Sequence, residues 1–274
     1  MAKQYTIKQL EKIANTIRQD IIKMLLAAGS GHSAGPLGLA DIFAALYFNI
    51  LNHNSKNPKW ENRDRLCLSN GHVVPVRYAA MARAGYFPVN QLKTLRKLGS
   101  ALQGHPSYLD MPGLEHSSGP LGQGVSVAVG MALAAKLEKQ DHFVYCITSD
   151  GEHDEGQLWE AIMSAAKFKL DNLIFIMDRN NIQIDGYTDK IMPLEPLKSK
   201  YDAFNWHVIE IDGNNIEQVI DACEIAKTIK EKPTMIIANT IPGKGVSFME
   251  NQWQWHGKVP NKQEVQKALA ELNK

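Results

Sequence analysis

Five short runs constrain the fold more than anything else in the chain: "RLCLS" (65–69), "FVYCITS" (143–149), "LIFIMD" (173–178), "HVIEID" (207–212) and "TMIIANT" (234–240). Each is rich in branched and aromatic residues and bounded by turn formers, and helical periodicity fills the stretches between them. A strand with water on one face alternates apolar and polar side chains. These runs are apolar almost throughout, which suits a parallel sheet covered on both faces. Several end in Ser, Asp or Thr, as strands do where their carboxyl ends open into a ligand crevice. The expected fold class is therefore α/β, a parallel sheet with helices on both faces. Ahead of it, Leu10, Ile13, Ile17, Ile21, Met24 and Leu25 recur at helical spacing as a lead-in, and a second helix is expected over 40–51. No linker and no internal repeat divides the sequence, so 1–274 is read as one domain.

The end of the second run poses a question of charge. "SDGEHDEGQ" (149–157) crowds Asp150, Glu152, Asp154 and Glu155 together, in a chain whose 30 Lys and Arg nearly cancel its 29 Asp and Glu. One reading is structural: Asp150 caps a helix over "EGQLWEAIMSAAKF", and acidic residues in its first turn complement the macrodipole. The other is a site. The next run leads into "RNNIQIDG", so Asn180 and Asn181 follow Asp150 by one strand–helix–strand unit. Parallel neighbours hold their carboxyl ends side by side. The Asp150 carboxylate, the Asn180 amide oxygen and the backbone carbonyl of Ile182 would then form a hard oxygen set suited to Mg²⁺ or Ca²⁺, completed by phosphate and water. A bare phosphate would be repelled here, whereas a diphosphate bridged by a divalent cation would not. The other three carboxylates are not needed for that site, and some of them are read as solvating the helix end or facing a partner.

The near-zero net charge gives no electrostatic case for nucleic acid or an acidic membrane surface. The longest apolar run, "VSVAVGMALAA", is too short to cross a bilayer, and the first twenty residues lack a secretory apolar core. Cys67, Cys146 and Cys223 lie apart in apolar stretches, as buried free thiols of a reducing compartment do. A cytoplasmic location is expected.

"SDGEHDEGQ…NLIFIMDRNNIQIDG" resembles the thiamine-diphosphate fingerprint, Gly-Asp-Gly followed by an asparagine turn, with Ser149 in place of the first glycine. "SGHSAGPLG" (30–38), "LSNGHVVPV" (68–76), "GHPSYLDMPGLEHSSGPLGQGVSVAVGMALA" (104–134), "NWHVIEIDG" (205–213) and "GKGVSFMENQWQWHG" (243–257) resemble transketolase segments, in order. The resemblance covers essentially the whole chain and stops at the end of the diphosphate-binding half. It implies the N-terminal subunit of a split transketolase, using thiamine diphosphate and Mg²⁺ (or Ca²⁺). A C-terminal subunit would carry the pyrimidine-binding domain and the activating glutamate. Self-association to α2β2 and transfer of a two-carbon ketol unit between sugar phosphates follow from the same likeness, and the lone chain would be inactive.

The resemblance also implies roles for residues. His32 and His105 go to the sugar, and His72 and His256 to the diphosphate and substrate region, with His256 in both the catalytic and the cofactor set. Gly119, Pro120 and Leu121 would lie against the cofactor's rings, and Gly151 beside its diphosphate. Glu155 matches the glutamate that links two cofactor sites across an interface. From the residues alone, each of those four histidines lies in a Gly- or Pro-bearing turn, where backbone approaches a ligand closely. His53, His116, His142, His153 and His207 read as surface or satisfied core, with His153 at the edge of the site. The rivals are the matching piece of another thiamine enzyme (a 2-oxoacid dehydrogenase α subunit, a deoxyxylulose-phosphate synthase, or a transketolase for an unusual sugar), a nucleotide-binding domain, and a non-catalytic scaffold. "GSGHSA" (29–34) follows a helix, the wrong context for a dinucleotide fingerprint.

Overall fold

A computed structural model describes residues 5–273. Helix α1 (Ile7–Ala28) is longer than the periodic stretch because a capping box of Thr6 and Gln9 starts it and Gly29, at φ 71°, stops it. Periodicity marks only the buried turns, so it underestimates both ends. After it come α2 (Ala34–Gly38) and α3 (Ala40–Ala45), the latter finishing in a π-type turn, Leu46–Ile50, where one continuous helix was expected. Strand β1 (Arg65–Leu68), α4 (Val74–Arg83), α5 (Gln123–Leu137), β2 (Val144–Ser149), α6 (Gly156–Lys167) and β3 (Leu173–Arg179) follow. The hairpin β4 (Ile182–Gln183) and β5 (Gly186–Tyr187), α7 (Thr188–Ile191) and α8 (Leu197–Ala203) lead to β6 (His207–Asp212), α9 (Ile216–Thr228), β7 (Thr234–Asn239) and α10 (Lys262–Leu272).

The five expected strands form one sheet in the order β1-β2-β3-β7-β6, and every pairing is parallel. Alternation along the strands sends side chains to two cores. Tyr145, Ile147, Ile174, Ile176 and Ile236 pack with α1, α3, α4 and α9 on one face. Cys146, Phe175, Met177, Met235 and Ile237 pack with α5, α6 and α8 on the other. Both faces are covered, which is why the central strands carry no polar alternation. Strand β6 lies at an edge and is largely half-exposed, consistent with Glu210 in its middle. All three cysteines are free and buried, as expected. Among the described residues no helix is long and apolar enough to cross a membrane.

The lead-in is tied to the sheet by a buried ion pair. Arg18 on α1 pairs with Asp41 on α3 and donates to the Leu37 carbonyl (3.1 Å). Asn214, beyond β6, donates to both Asp41 (2.8 Å) and the Gly38 carbonyl (2.9 Å). Removing one partner would strand a buried charge, whereas replacing both leaves only a packing change. Asp41→Ala is therefore expected to lower unfolding free energy by about 3–5 kcal/mol in urea melts, and Arg18→Met with Asp41→Leu by clearly less.

Candidate active site

Register places the centre of the site. Ser149, at the end of β2, pairs with Asp178 near the end of β3, so the two loops leave the sheet together. Asp150 is buried, and its oxygens differ in their loads. Oδ2 accepts from the Asn181 amide (2.6 Å) and the Arg179 guanidinium (3.2 Å), with the Thr188 hydroxyl at 3.5 Å, while Oδ1 accepts only the Gly151 amide (2.8 Å). Asn181 sits at φ 63°, a left-handed conformation that asparagine tolerates, and this aims its N–H at Asp150. The Asn180 side chain closes its own turn by accepting from Ile182 N–H (3.0 Å) and donates to Asp178 (2.7 Å). The sequence-nominated donors Asp150, Asn180 and Ile182 thus come together, as the spacing argument required.

The helix-cap alternative for Asp150 is not what forms. A 3₁₀ turn, Gly151–Asp154, comes first and Asp150 caps only that turn, while α6 starts after Glu155. The other three acidic residues stand outside the Asp150–Asn180 cluster but differ in burial. Asp154 and Glu155 are exposed. Glu152 is not: it is fully buried and accepts from the Ser69 hydroxyl, the Gly122 amide (2.7 Å) and the Ser149 amide (3.3 Å). The sequence reading missed it because a surface glutamate and a buried one look alike until the chain folds back on itself. His153 is likewise buried. Its ring lies 2.7 Å from both the Ser149 carbonyl and the Tyr201 hydroxyl, so it carries its proton on Nδ1 and accepts from the tyrosine. Ser149 needs no positive φ, so a side chain is accommodated where the fingerprint has glycine.

A cavity of about 310 Å³ opens above these strand ends, walled by Asp150, Gly151, Asn180, Ile182, Gly119, Leu121 and the histidines 32, 72, 105 and 256. The four imidazoles come from four separate segments. The His32 and His72 rings lie 4.8 Å apart, His32 and His256 5.4 Å, and His72 and His256 5.2 Å. Close approach explains the glycines: a Cβ at Gly71 would lie 2.6 Å from Ser118 Oγ, and one at Gly151 would meet the Gln183 side chain at 3.0 Å. Burial, with neighbouring His256, Arg96 and His105, pushes the His32 pKa down to about 4. Burial chiefly lowers His72, His105 and His256 as well, so the cluster is neutral near pH 7. Gln183 and Ile184 also line the cavity, and no sequence signal marked them. Pro120 and Glu155 are exposed and do not line it.

Burial pushes Asp178 up to about 7, partly offset by the Thr240 hydroxyl and reinforced by the charge of Asp150. Burial also raises Asp150, against the Asn181 amide and Arg179. Two buried acids, of which only Asp150 meets a guanidinium, that of Arg179, make this end of the sheet hospitable to a further cation. Among the described residues no three His, Cys, Asp or Glu side chains could hold a metal by themselves. The lightly loaded Oδ1 of Asp150 and the partnerless, buried Nδ1 of His32 can each receive a polar guest. A larger cavity, about 410 Å³, lies at the amino ends of β1 and β2 and contains none of the nominated residues.

The geometry agrees with what the chain is similar to. Residues 9–273 match the family model for the transketolase thiamine diphosphate binding domain. The chain is 45% identical to the 6-deoxy-6-sulfo-D-fructose transketolase subunit SqwG of a Clostridium species, over 97% of this chain and 96% of that one. It is 38% identical to one of the subunits of the apulose-4-phosphate transketolase of Phocaeicola vulgatus, over 97% and 95%. Transketolase of Campylobacter jejuni superposes with a TM-score of 0.92 at 38% identity, covering 98% of this chain but 43% of that structure. The chain thus spans less than half the length of the long transketolases it matches and nearly all of those named as subunits. It belongs to the transketolase family, as an N-terminal, thiamine diphosphate binding subunit of the split type.

Proposed function

We propose that this chain holds the diphosphate of thiamine diphosphate through a divalent cation, Mg²⁺ or Ca²⁺, at Asp150, Asn180 and the Ile182 carbonyl. On this reading it works with a C-terminal transketolase subunit, in an α2β2 assembly in the cytoplasm, to move a two-carbon ketol unit between sugar phosphates. The observation that carries the reading is the meeting of Asp150 with the Asn180 turn beneath a cluster of neutral imidazoles. When bound, thiamine diphosphate supplies the nucleophilic carbon and the electron sink that cleavage of a ketose carbon–carbon bond needs.

The chain's own residues supply position and proton traffic. Asp150 and Asn180 anchor the charged tail, with Gly151 letting the backbone come close. His32, His105 and His256, uncharged at neutral pH, offer N–H donors to sugar hydroxyls and lone pairs that can take a proton from them. His72, the most deeply set of the four, faces the cofactor side, and the Gly119–Pro120–Leu121 segment forms a rim against its rings. Glu155, exposed beside that rim, is the natural contact for a partner chain. The names of the relatives, one for a sulfonated fructose and one for apulose 4-phosphate, widen the range of sugars to be tried.

Thermal melts test the cofactor. Thiamine diphosphate with Mg²⁺ at a hundredfold excess over Kd should add roughly 2.7 kcal/mol of stability, and NAD or ATP none. Asp150→Asn, near-isosteric, should weaken the Mg²⁺-dependent binding by at least about tenfold, as loss of a ligand charge does. Binding unchanged by that substitution would refute the cation bridge. Ketol transfer from xylulose 5-phosphate, apulose 4-phosphate and 6-deoxy-6-sulfofructose should be absent with the lone chain and appear with the C-terminal subunit; turnover by the lone chain overturns the half-site reading.

A pH series tests the imidazoles. His32 has a depressed folded-state pKa, so its neutral form carries no penalty above about 6.5, and the fold loses stability through it as pH falls from there towards about 4. The melting temperature of His32→Asn should therefore gain on that of the wild type between pH 7 and pH 4.5. Parallel curves would show that His32 titrates normally.

A further inference from the structure

Glu152 is one of three carboxylates of the acidic loop to which the cation site gives no task, and of those three it alone is buried. Its three donors come from three segments: Ser69 just beyond β1, Gly122 just before α5, and Ser149 at the end of β2. The start of α5 has no side-chain cap of its own, because its N-cap is Gly122 at φ 75°. Glu152 brings the missing acceptor across to the amino end of a 15-residue helix. The segment is closely packed there. A Cβ at Gly124 would stand 2.7 Å from Ser69 Cα, and one at Gly122 2.7 Å from Glu155 Cβ. Gly119 and Leu121, which face the cavity, are joined through the backbone to the very amide that Glu152 holds.

We propose that Glu152 is a positioning residue that fixes the Gly119–Leu121 rim where the ring end of thiamine diphosphate rests, while Asp150 and the Asn180 turn hold the diphosphate end. The assignment rests on the function proposed above and deepens it: two carboxylates, two residues apart in sequence, serve opposite ends of one ligand. What the rim requires of Glu152 is reach. An acceptor one methylene shorter cannot keep the Gly122 amide and the Ser149 amide together, whereas a neutral acceptor of the same length can keep Ser69 and Gly122.

The test measures two ligands on the full chain by calorimetry, thiamine diphosphate and inorganic pyrophosphate, each with Mg²⁺. Glu152→Gln should bind thiamine diphosphate within about threefold of wild type, and Glu152→Asp about tenfold more weakly, the loss expected for a hydrogen bond to a charged acceptor. Both variants should bind pyrophosphate within about twofold of wild type, since Glu152 bonds neither Asp150 nor Asn180. A merely structural glutamate would not separate the two ligands. The proposal is overturned if Glu152→Asp binds thiamine diphosphate like wild type, if the two ligands weaken in step, or if circular dichroism shows that neither variant folds. Failure of the wild-type chain to bind either ligand would count instead against the function proposed above.

Discussion

Parallel pairing of β2 with β3, in the register that sets Ser149 opposite Asp178, is the constraint on which the rest of the site depends. It makes two loops leave the sheet side by side, so that the Asn181 amide lies 2.6 Å from Asp150 although 31 residues separate them. A slip of two residues along the ladder would keep every apolar side chain on its proper face and still carry Asn180 away from Asp150. The apolar pattern alone therefore cannot hold the site. The loop bonds do so, together with Thr240, from beyond β7, on Asp178.

Burial of acids governs the electrostatics. Asp150, Glu152 and Asp178 are each at most 1% exposed, and each accepts hydrogen bonds both from its own loop and from other segments. For Glu152, burial outweighs three hydrogen bonds and pushes its pKa up to about 7. Such a cluster costs stability unless it is paired, which is why it belongs at a ligand site and not in a structural core. The histidines show the complementary effect. Clustering and burial strip them of charge, leaving polar groups suited to sugar hydroxyls in a crevice whose floor is acidic.

Placement of the histidines depends on the non-sheet segments. The His32 loop is clamped from the far end of the chain: Gly243 N–H donates to the Ala34 carbonyl (2.8 Å), and Ser33 bonds the Lys258 carbonyl. A Cβ at Gly38 would lie 2.9 Å from the Ile241 carbonyl oxygen, so these strands of loop touch backbone to backbone. The segment bearing His256 therefore also holds His32 in place, and the two rings meet because their loops do.

The amino-acid order by itself determined the five strands, their parallel arrangement and two covered faces, because apolar patterning is a local property that survives without knowledge of the partner. It also determined the pairing of Asp150 with the Asn180 turn, since one strand–helix–strand unit leaves little choice of neighbour, and it marked the four cavity histidines by their glycine-bearing turns. Only the tertiary structure decided that Glu152 and His153 face inward while Asp154 and Glu155 face solvent. It alone showed that Gln183 and Ile184 wall the cavity, that Pro120 does not, and that Asp150 caps a 3₁₀ turn in place of a long helix. The physical reason is the same in each case. Whether a polar side chain is buried depends on donors that arrive from distant segments, such as Ser69 and Gly122 for Glu152, and no spacing within the loop encodes their arrival.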